Sequence, residues 1–354
     1  MNRLFFSFIL GLLAVPLAAK AQTTVTTTPV GYITYTIPAT NGAQTTTTYI
    51  SFPLLNNPAY SGAVTALTSN TLTVAGTPWT AGQFAAAGSP FFVKISSGLE
   101  AGRFLLVTAN TANTLTVDVT DHSSQTTPLD GSGFAVQVND RIEIIAGDTL
   151  ASVLGDGSIS NPVQLVGGTS AFTADAVSIY NPSLGRSFSY YFNTTRNAWN
   201  SGASGVVSQN GLILYPDMAI GITRRPNRPA LVFQLQGRVP DVTPLTKTTG
   251  GSTSAIYSST RFPVDVTLAS LNIPGWTKSN SVFTADTIAV WDPSLGRWFS
   301  YFQRADNNQW RKSGDTLTDQ SNFVIPAGAG IQILKRSTVS GQSSFMAVSM
   351  PYTP

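Results

Sequence analysis

The sequence predicts an all-β protein made of two duplicated β-sandwich or barrel-like modules, with a small β-barrel inserted in the first. Short runs rich in Val, Ile, Thr, Phe and Tyr recur along the 354 residues, and Gly, Pro, Asn and Ser separate them. This pattern is typical of strands joined by tight turns. One segment also occurs twice: residues 172–199 and 283–310 agree at 14 of 28 positions, at a constant offset of 111. Agreement of that extent indicates an internal duplication.

Residues 1–21 are predicted to form a secretory signal peptide. A basic start at Arg3 is followed by an apolar run over 4–17 and by the cleavage site Ala19-Lys20-Ala21. The apolar run is shorter than the roughly 20 residues that a membrane span needs, which favours a cleaved signal over an uncleaved anchor. We therefore expect an exported protein of the periplasm, outer surface or medium, with no integral membrane segment after cleavage.

The charge of the chain argues against a nucleic-acid partner. The net charge is +3, and loss of Arg3 and Lys20 with the signal would leave 18 basic against 17 acidic side chains. Only 10% of the residues are charged, so Ser and Thr supply most of the surface polarity. The chain has no cysteine, which excludes disulfides and thiolate metal sites.

The duplication extends upstream of its strongest part and defines the domains. Thr149-Leu-Ala-Ser152 returns as Thr267-Leu-Ala-Ser270, the one position where a short helix is predicted. The pair Phe52-Pro53 returns as Phe262-Pro263, but about 95 residues separate it from Thr149 in the first copy. Most of that gap is interpreted as an inserted domain. The predicted domains are the signal at 1–21, copy one at 22–59 plus 148–236, the insert at 60–147, and copy two at 237–354.

The insert has its own pattern of predicted strands separated by tight turns. Ser69-Asn70 and Ser97-Gly98 suit hairpins. A closed barrel of five to seven strands would leave no unpaired edges. The predicted strands are 63–68, 71–75, 91–96, 103–108, 114–119, 134–137 and 141–145.

Each copy is predicted to contain one hairpin with a defined register. In copy two, the turn Pro293-Ser-Leu-Gly296 places Asp292 opposite Arg297 and Trp291 opposite Trp298. Because side chains alternate between faces, one face of each hairpin carries apolar residues in both copies and is expected to form core. These residues are Ile288, Val290, Phe299 and Tyr301 in copy two, and Val177, Ile179, Phe188 and Tyr190 in copy one.

The other face differs between the copies. Copy two has Trp291, Trp298 and Phe302 where copy one has Tyr180, Ser187 and Tyr191. One hypothesis is a flat aromatic platform that stacks on a sugar or contacts a partner. The other is that this face packs under a loop or against the other module. Since copy one carries a serine at this position, Trp298→Ser is expected to preserve the fold.

Six further residues recur and are predicted to be structural. The aspartates and arginines are expected to tie the hairpins by ion pairs or backbone hydrogen bonds, and the tryptophans are expected to anchor the cores. They are Asp175, Arg186 and Trp199 in copy one, and Asp286, Arg297 and Trp310 in copy two. Asp306-Asn307-Asn308 could offer oxygen ligands to calcium, but a plain turn is favoured because further acidic residues are missing there.

The residues needed for common catalytic sites are scarce. The single histidine, His122, lies in a Ser/Thr-rich stretch, and the chain has no G-x-S-x-G turn and no phosphate-binding loop. No catalytic residue, metal or cofactor is therefore predicted. A glycoside hydrolase with dispersed carboxylates stays open as a distant alternative, because paired carboxylates show no local spacing.

Several segments follow one another in an order shared with a known family. They are Phe262-Pro263-Val264, the T-L-A-S-L segment at 267–271, the D-T-I-A-V-W-D…G-R-W segment at 286–298, the I-P-A-G-x-G-I segment at 325–331, and the hairpin-rich insert around 91–117. Through them the chain resembles an uncharacterised family of exported β-rich proteins of Verrucomicrobium-type bacteria, over most of the mature chain. The resemblance implies no activity and no catalytic residues. Residues 291–298 also resemble a kelch propeller blade, but two copies 111 residues apart do not fit blades that repeat about every 50.

These observations favour a non-catalytic, exported structural or adhesive protein of the cell surface. Its expected partners are other surface proteins, further copies of itself, or polysaccharide. The alternative is a carbohydrate-binding protein that uses Trp291, Trp298 and Phe302.

Overall fold

The computed structural model describes residues 29–120, 126–131, 135–182, 184–203, 206–249, 255–271, 273, 275–315, 317–336 and 343–353. The predicted signal peptide and His122 lie outside these residues. Strands account for 42% of the chain and helix for 3%, which confirms the prediction of an all-β protein. No helix in the described ranges has the length and apolarity needed to cross a membrane.

The first half of the chain forms two strands of copy one and then the whole inserted barrel. The strands are β1 (Val30–Ile37), β2 (Thr46–Ser51), β3 (Pro58–Leu67), β4 (Thr71–Val74), β5 (Phe91–Ile95), β6 (Phe104–Asn110), β7 (Thr114–Val117) and β8 (Arg141–Ala146). Strands β3 to β8 close into a six-stranded barrel in the order β3-β4-β7-β6-β5-β8.

The chain then returns to copy one and continues directly into copy two. Copy one is completed by β9 (Asp148–Thr149), α1 (Leu150–Leu154), β10 (Ala176–Asn181), β11 (Arg186–Asn193), β12 (Ala198–Ser201), β13 (Ile213–Leu214), β14 (Ala219–Arg224) and β15 (Leu231–Arg238). Copy two contains β16 (Leu245–Thr249), β17 (Ile256–Ser258), β18 (Val266–Thr267), a 3-10 turn (Leu268–Ser270), β19 (Thr287–Asp292), β20 (Arg297–Gln303), β21 (Trp310–Lys312), β22 (Val324–Ile325), β23 (Ile331–Leu334) and β24 (Ser343–Ala347).

The predicted seventh barrel strand, 134–137, is wrong. Residues 135–137 form no strand, and Phe134 lies outside the described part of the chain. Val136 instead donates its backbone N–H to the carbonyl of Leu129 at 2.9 Å. Both side chains belong to the barrel core, at 2% and 0% exposure. The apolar residues of this segment therefore fill the barrel interior and do not extend its wall.

The two copies have the same sheet topology. Each has a five-stranded sheet, in the orders β12-β11-β10-β14-β2 and β21-β20-β19-β23-β17. Each also has a two-stranded ribbon, β1–β15 or β16–β24, and a short pair, β9–β13 or β18–β22. In both copies the short helical turn directly follows the first strand of the short pair. Thr149 and Thr267 each cap it through a reciprocal capping box with the serine three residues on.

The predicted hairpin register is confirmed. Trp291 pairs with Trp298 and Asp292 with Arg297, while Val177 pairs with Tyr190 in copy one. The face expected to form core does so at every position except Phe188, because the other residues join the two module cores either as buried members or as partly buried neighbours. Phe188 is partly buried, and Arg186 lies over its ring.

A network of two buried cations and two partly buried carboxylates connects the barrel with the module strands. Lys94 on β5 pairs with Glu143 on β8 at 3.1 Å and with Asp241. Arg238 on β15 pairs with the same Glu143 carboxylate. Burial alone would raise the pKa of the Glu143 carboxyl, but the hydrogen bond from Arg238 and the charge of Lys94 hold it below its ordinary value. The network therefore fixes the barrel to copy one and to the segment that leads into copy two.

Candidate functional site

Five aromatic rings meet where the outer faces of the two five-stranded sheets approach each other. We call Tyr49, Tyr180, Tyr257, Trp291 and Trp298 the interface cluster. The ring centroids of Tyr49 and Trp298 are 4.6 Å apart, those of Tyr180 and Tyr257 are 4.7 Å apart, and those of Trp291 and Trp298 are 5.3 Å apart. These separations are in the range of attractive aromatic contacts. The cluster thus joins copy one to copy two.

The cluster includes two tyrosines that occupy equivalent positions in the two copies. Tyr49 pairs with Gly221 in one sheet, and Tyr257 pairs with Gln332 in the other. Gly221 and Gln332 are 111 residues apart, so Tyr49 and Tyr257 occupy equivalent positions, and their rings lie 5.6 Å apart. Aligning the Phe-Pro motifs instead places Tyr49 opposite Ser259. The two alignments differ by two residues, so copy two has two additional residues between Tyr257 and Phe262. Arg261, which directly precedes Phe262, has a φ of 65°.

Copy two also covers the outer edge of β2. The backbone of Ser51 donates to the carbonyl of Gly328 at 2.9 Å, and Gly330 donates to the carbonyl of Tyr49 at 2.9 Å. The indole Nε1 of Trp291 donates to the carbonyl of Thr47 at 2.6 Å. Gly330 is required at this approach, because a Cβ there would lie 2.9 Å from the Cβ atoms of Ala219 and Tyr49. Trp291 and the 328–330 segment together therefore satisfy backbone groups at a sheet edge that would otherwise be open.

The three residues predicted to form a ligand platform lie at different depths. Phe302 is only 1% exposed and belongs to the interior. Trp291 and Trp298 are half-buried between the modules. Carbohydrate binding stays a prediction; Phe302 is too deeply buried to contact a ligand, whereas Trp291 and Trp298 each keep part of their surface accessible.

That accessible part of Trp291 lines a cleft between the modules. The cleft has a volume of about 280 Å³. Its walls come from β1 and β2 of copy one, and from β19 and the 326–330 segment of copy two. The side chains of Thr34, Thr36, Tyr49, Trp291 and Pro293 are among those that line the cleft. Neutral hydroxyls beside an aromatic ring suit a neutral, hydroxyl-rich ligand better than a charged one.

The phenol that lines this cleft is held in its neutral form. Burial, with a smaller effect from Tyr257, raises the pKa of Tyr49 to about 12. Its O–H therefore stays protonated throughout the physiological pH range.

The repeated aspartates have equivalent structural environments. The Asp175 carboxylate accepts from Arg224 Nε at 2.8 Å and from the backbone of Val166 and Arg225 at 3.1 and 2.8 Å. The Asp286 carboxylate accepts from Lys335 Nζ at 3.2 Å. It also accepts from the backbone of Thr277 and Arg336 at 2.8 and 2.6 Å. Each aspartate thus ties the start of its hairpin to the end of the neighbouring strand.

The expected role of the repeated arginines needs a correction. Arg186 and Arg297 do not pair with these aspartates; their guanidinium groups lie over the rings of Phe188 and Phe299, at 4.8 and 4.5 Å from the centroids. The reason is topological, because the arginines begin the second strand at the turn, at the opposite end of the hairpin from the aspartates. Trp199 and Trp310 are 0% and 2% exposed and belong to the module cores.

The candidate calcium segment forms a turn closed by an ion pair. The Asp306 carboxylate accepts from Arg304 Nε at 2.9 Å, and Asn308 has a φ of 59°. No cluster of three or more potential metal-ligating side chains occurs among the residues described above.

Two groups of important residues were missed by the sequence analysis. Arg224 and Lys335, the basic partners of Asp175 and Asp286, could have been found from the sequence, because they occupy equivalent positions of the duplication. Tyr49 and Tyr257 could not have been found in this way, because no local sequence pattern indicates that the outer faces of two strands will meet.

Comparison of the chain with protein-family models, curated proteins and solved structures gave no match.

Proposed function

We propose that this protein is a non-catalytic, exported structural or adhesive component of the cell surface, related to the Verrucomicrobium-type family that its motifs resemble. The supporting observation is a set of apolar side chains that stay exposed at equivalent positions of both copies. Phe172 and Phe283 are 88% and 78% exposed, and Val206 and Leu317 are 74% and 89% exposed. The members of each pair are 111 residues apart, like the rest of the duplication.

Exposed apolar side chains at matched positions suit contacts with other copies or with surface partners. A third pair, Leu184 and Leu295, lies at the tips of the hairpins, with each leucine 58% exposed. Two equivalent contact regions on one protein permit head-to-tail association between copies. Such association generates an extended filament when the copies do not close into a ring. The interface cluster and the charge network supply rigidity without any disulfide.

The test is assembly of the purified protein, followed by sedimentation and electron microscopy. We expect large oligomers or filaments from the wild type, and their loss in the double variant Phe172→Ser/Phe283→Ser. Tyr32→Ser is the matched control, because Tyr32 is an aromatic residue with 70% exposure outside the repeated segment. A strictly monomeric wild type that binds no cell-envelope fraction would contradict the proposal.

A second candidate function is binding of a neutral polysaccharide in the cleft. The observation that favours it is the accessible part of Trp291 beside the hydroxyls of Thr34 and Thr36. We expect Trp291→Tyr, which introduces the residue of copy one, and Thr36→Val each to weaken retention on insoluble polysaccharides. Circular dichroism of each variant checks that its fold is retained. Retention that neither change weakens, or that Tyr32→Ser weakens equally, would argue against this site.

A further inference from the structure

A cavity at the junction of the barrel and copy one contains a carboxylate without a cationic partner. The cavity has a volume of about 180 Å³, well above the roughly 15 Å³ that one water occupies on this measure. Asp148 lies in its wall, between the last barrel strand and α1. In the described ranges no lysine or arginine forms an ion pair with Asp148, and the neighbouring Asn56 is neutral and donates its Nδ2 to the carbonyl of Ala146 at 2.9 Å.

The rest of the cavity wall combines five apolar side chains with the polar side chains of Tyr35, Asn56, Ser152 and Gln236. Leu54, Leu55, Val153 and Leu235 contribute aliphatic surface, and Phe52 contributes an aromatic ring. Burial raises the pKa of the Asp148 carboxyl, against a smaller opposite effect of the nearby Asn56 amide. Its charged form is therefore poorly compensated by the protein itself.

The second copy shows that the fold does not need an acid at this position. Asp148 pairs with Leu214 in the short β9–β13 pair, and Val266 pairs with Ile325 in the equivalent β18–β22 pair. Val266 is 3% exposed and packs in the core of copy two. The same structural position thus holds a valine in one module and a carboxylate beside a cavity in the other.

We propose that this cavity is a binding site for a primary alkylammonium group, with Asp148 as its counter-ion. An ammonium group provides three donors and the missing positive charge, and a short alkyl chain matches the aliphatic wall. The same chemistry occurs in free alkylamines and in lysine side chains. The site is separate from the cleft at Trp291 and does not depend on the proposed surface role.

The test is thermal unfolding of the full protein at neutral pH with n-butylammonium chloride as the probe. We expect the probe to raise the Tm of the wild type by about 2–4 °C once its concentration is about ten times Kd. Sodium chloride at the same ionic strength and the neutral alcohol 1-butanol are expected to give no comparable shift. Nα-acetyl-lysine amide in a parallel arm shows whether the cavity admits a lysine side chain or only a free amine.

Matched variants decide whether the effect belongs to Asp148. Asp148→Asn and Asp148→Val, the latter being the residue of copy two, are expected to abolish the probe-dependent Tm shift. Both should fold, because each removes a partly buried charge that the protein compensates poorly. Asp156→Asn removes the same charge from a nearby solvated position and should keep the shift. No shift in the wild type, or an equal shift in Asp148→Asn, would overturn the proposal.

Discussion

Replacing Trp298 with serine is expected to lower the free energy of unfolding by about 2–3 kcal/mol, somewhat less than the loss of a fully buried tryptophan. The expectation drawn from the duplication alone was that the fold would tolerate this change, since copy one has Ser187. The structure gives the reason for the difference. Ser187 is exposed, whereas Trp298 is half-buried and contacts the rings of Tyr49, Tyr257 and Trp291. Urea unfolding followed by circular dichroism measures the loss.

An aromatic control separates this effect from a general loss of apolar surface. Phe283 lies in the same module and is 78% exposed, so Phe283→Ser should change the free energy of unfolding by less than about 0.5 kcal/mol. Trp298→Phe should recover part of the loss, because it keeps a ring in the interface cluster. If Trp298→Ser were as stable as Phe283→Ser, the cluster would not hold the modules together.

The hairpins could be predicted in detail because their information is local. Alternation over six residues fixes the faces, and the Pro293-Ser-Leu-Gly296 turn fixes the register, so Trp291 lies opposite Trp298 as predicted. Two copies of the same pattern also revealed which face is core. A short helix was also predicted at the repeated T-L-A-S segment, and the capping residues that stabilise it lie only three positions apart in sequence.

The contacts between modules could not be predicted because they depend on distant residues. Trp291 donates to Thr47, which precedes it by 244 positions. No periodicity in the sequence indicates that the outer face of β19 covers the edge of β2. The sequence could therefore offer only two alternatives for Trp291 and Trp298, a solvent-exposed platform or packing against the other module. The structure places both rings between the modules and leaves part of Trp291 accessible in the cleft.

The barrel shows a related limit of prediction from sequence composition. Six of its strands were predicted because each alternates and is bounded by turn residues, but residues 135–137 have similar composition without being a strand. Val136 is apolar because it fills the barrel interior. Composition alone does not separate a strand of the wall from a segment that packs inside it, since both are selected for burial.

The largest expected loss of stability comes from removing either repeated aspartate. Asp286 is 0% exposed, and Asp286→Ala would leave the charge of Lys335 buried together with two unpaired backbone N–H groups. Breaking a buried ion pair in this way costs about 3–5 kcal/mol, measurable as a shift of the urea midpoint. Asp175→Ala should cost a similar amount, because Arg224 and the N–H groups of Val166 and Arg225 lose the same carboxylate. The duplication supplies the control: Lys335→Arg introduces the cation of copy one and should be tolerated, and Asp306→Ala removes only a solvated pair with Arg304. If Asp286→Ala were as stable as Asp306→Ala, the repeated aspartate would not tie the hairpin to its neighbouring strand, and its retention in both copies would need a different physical cause.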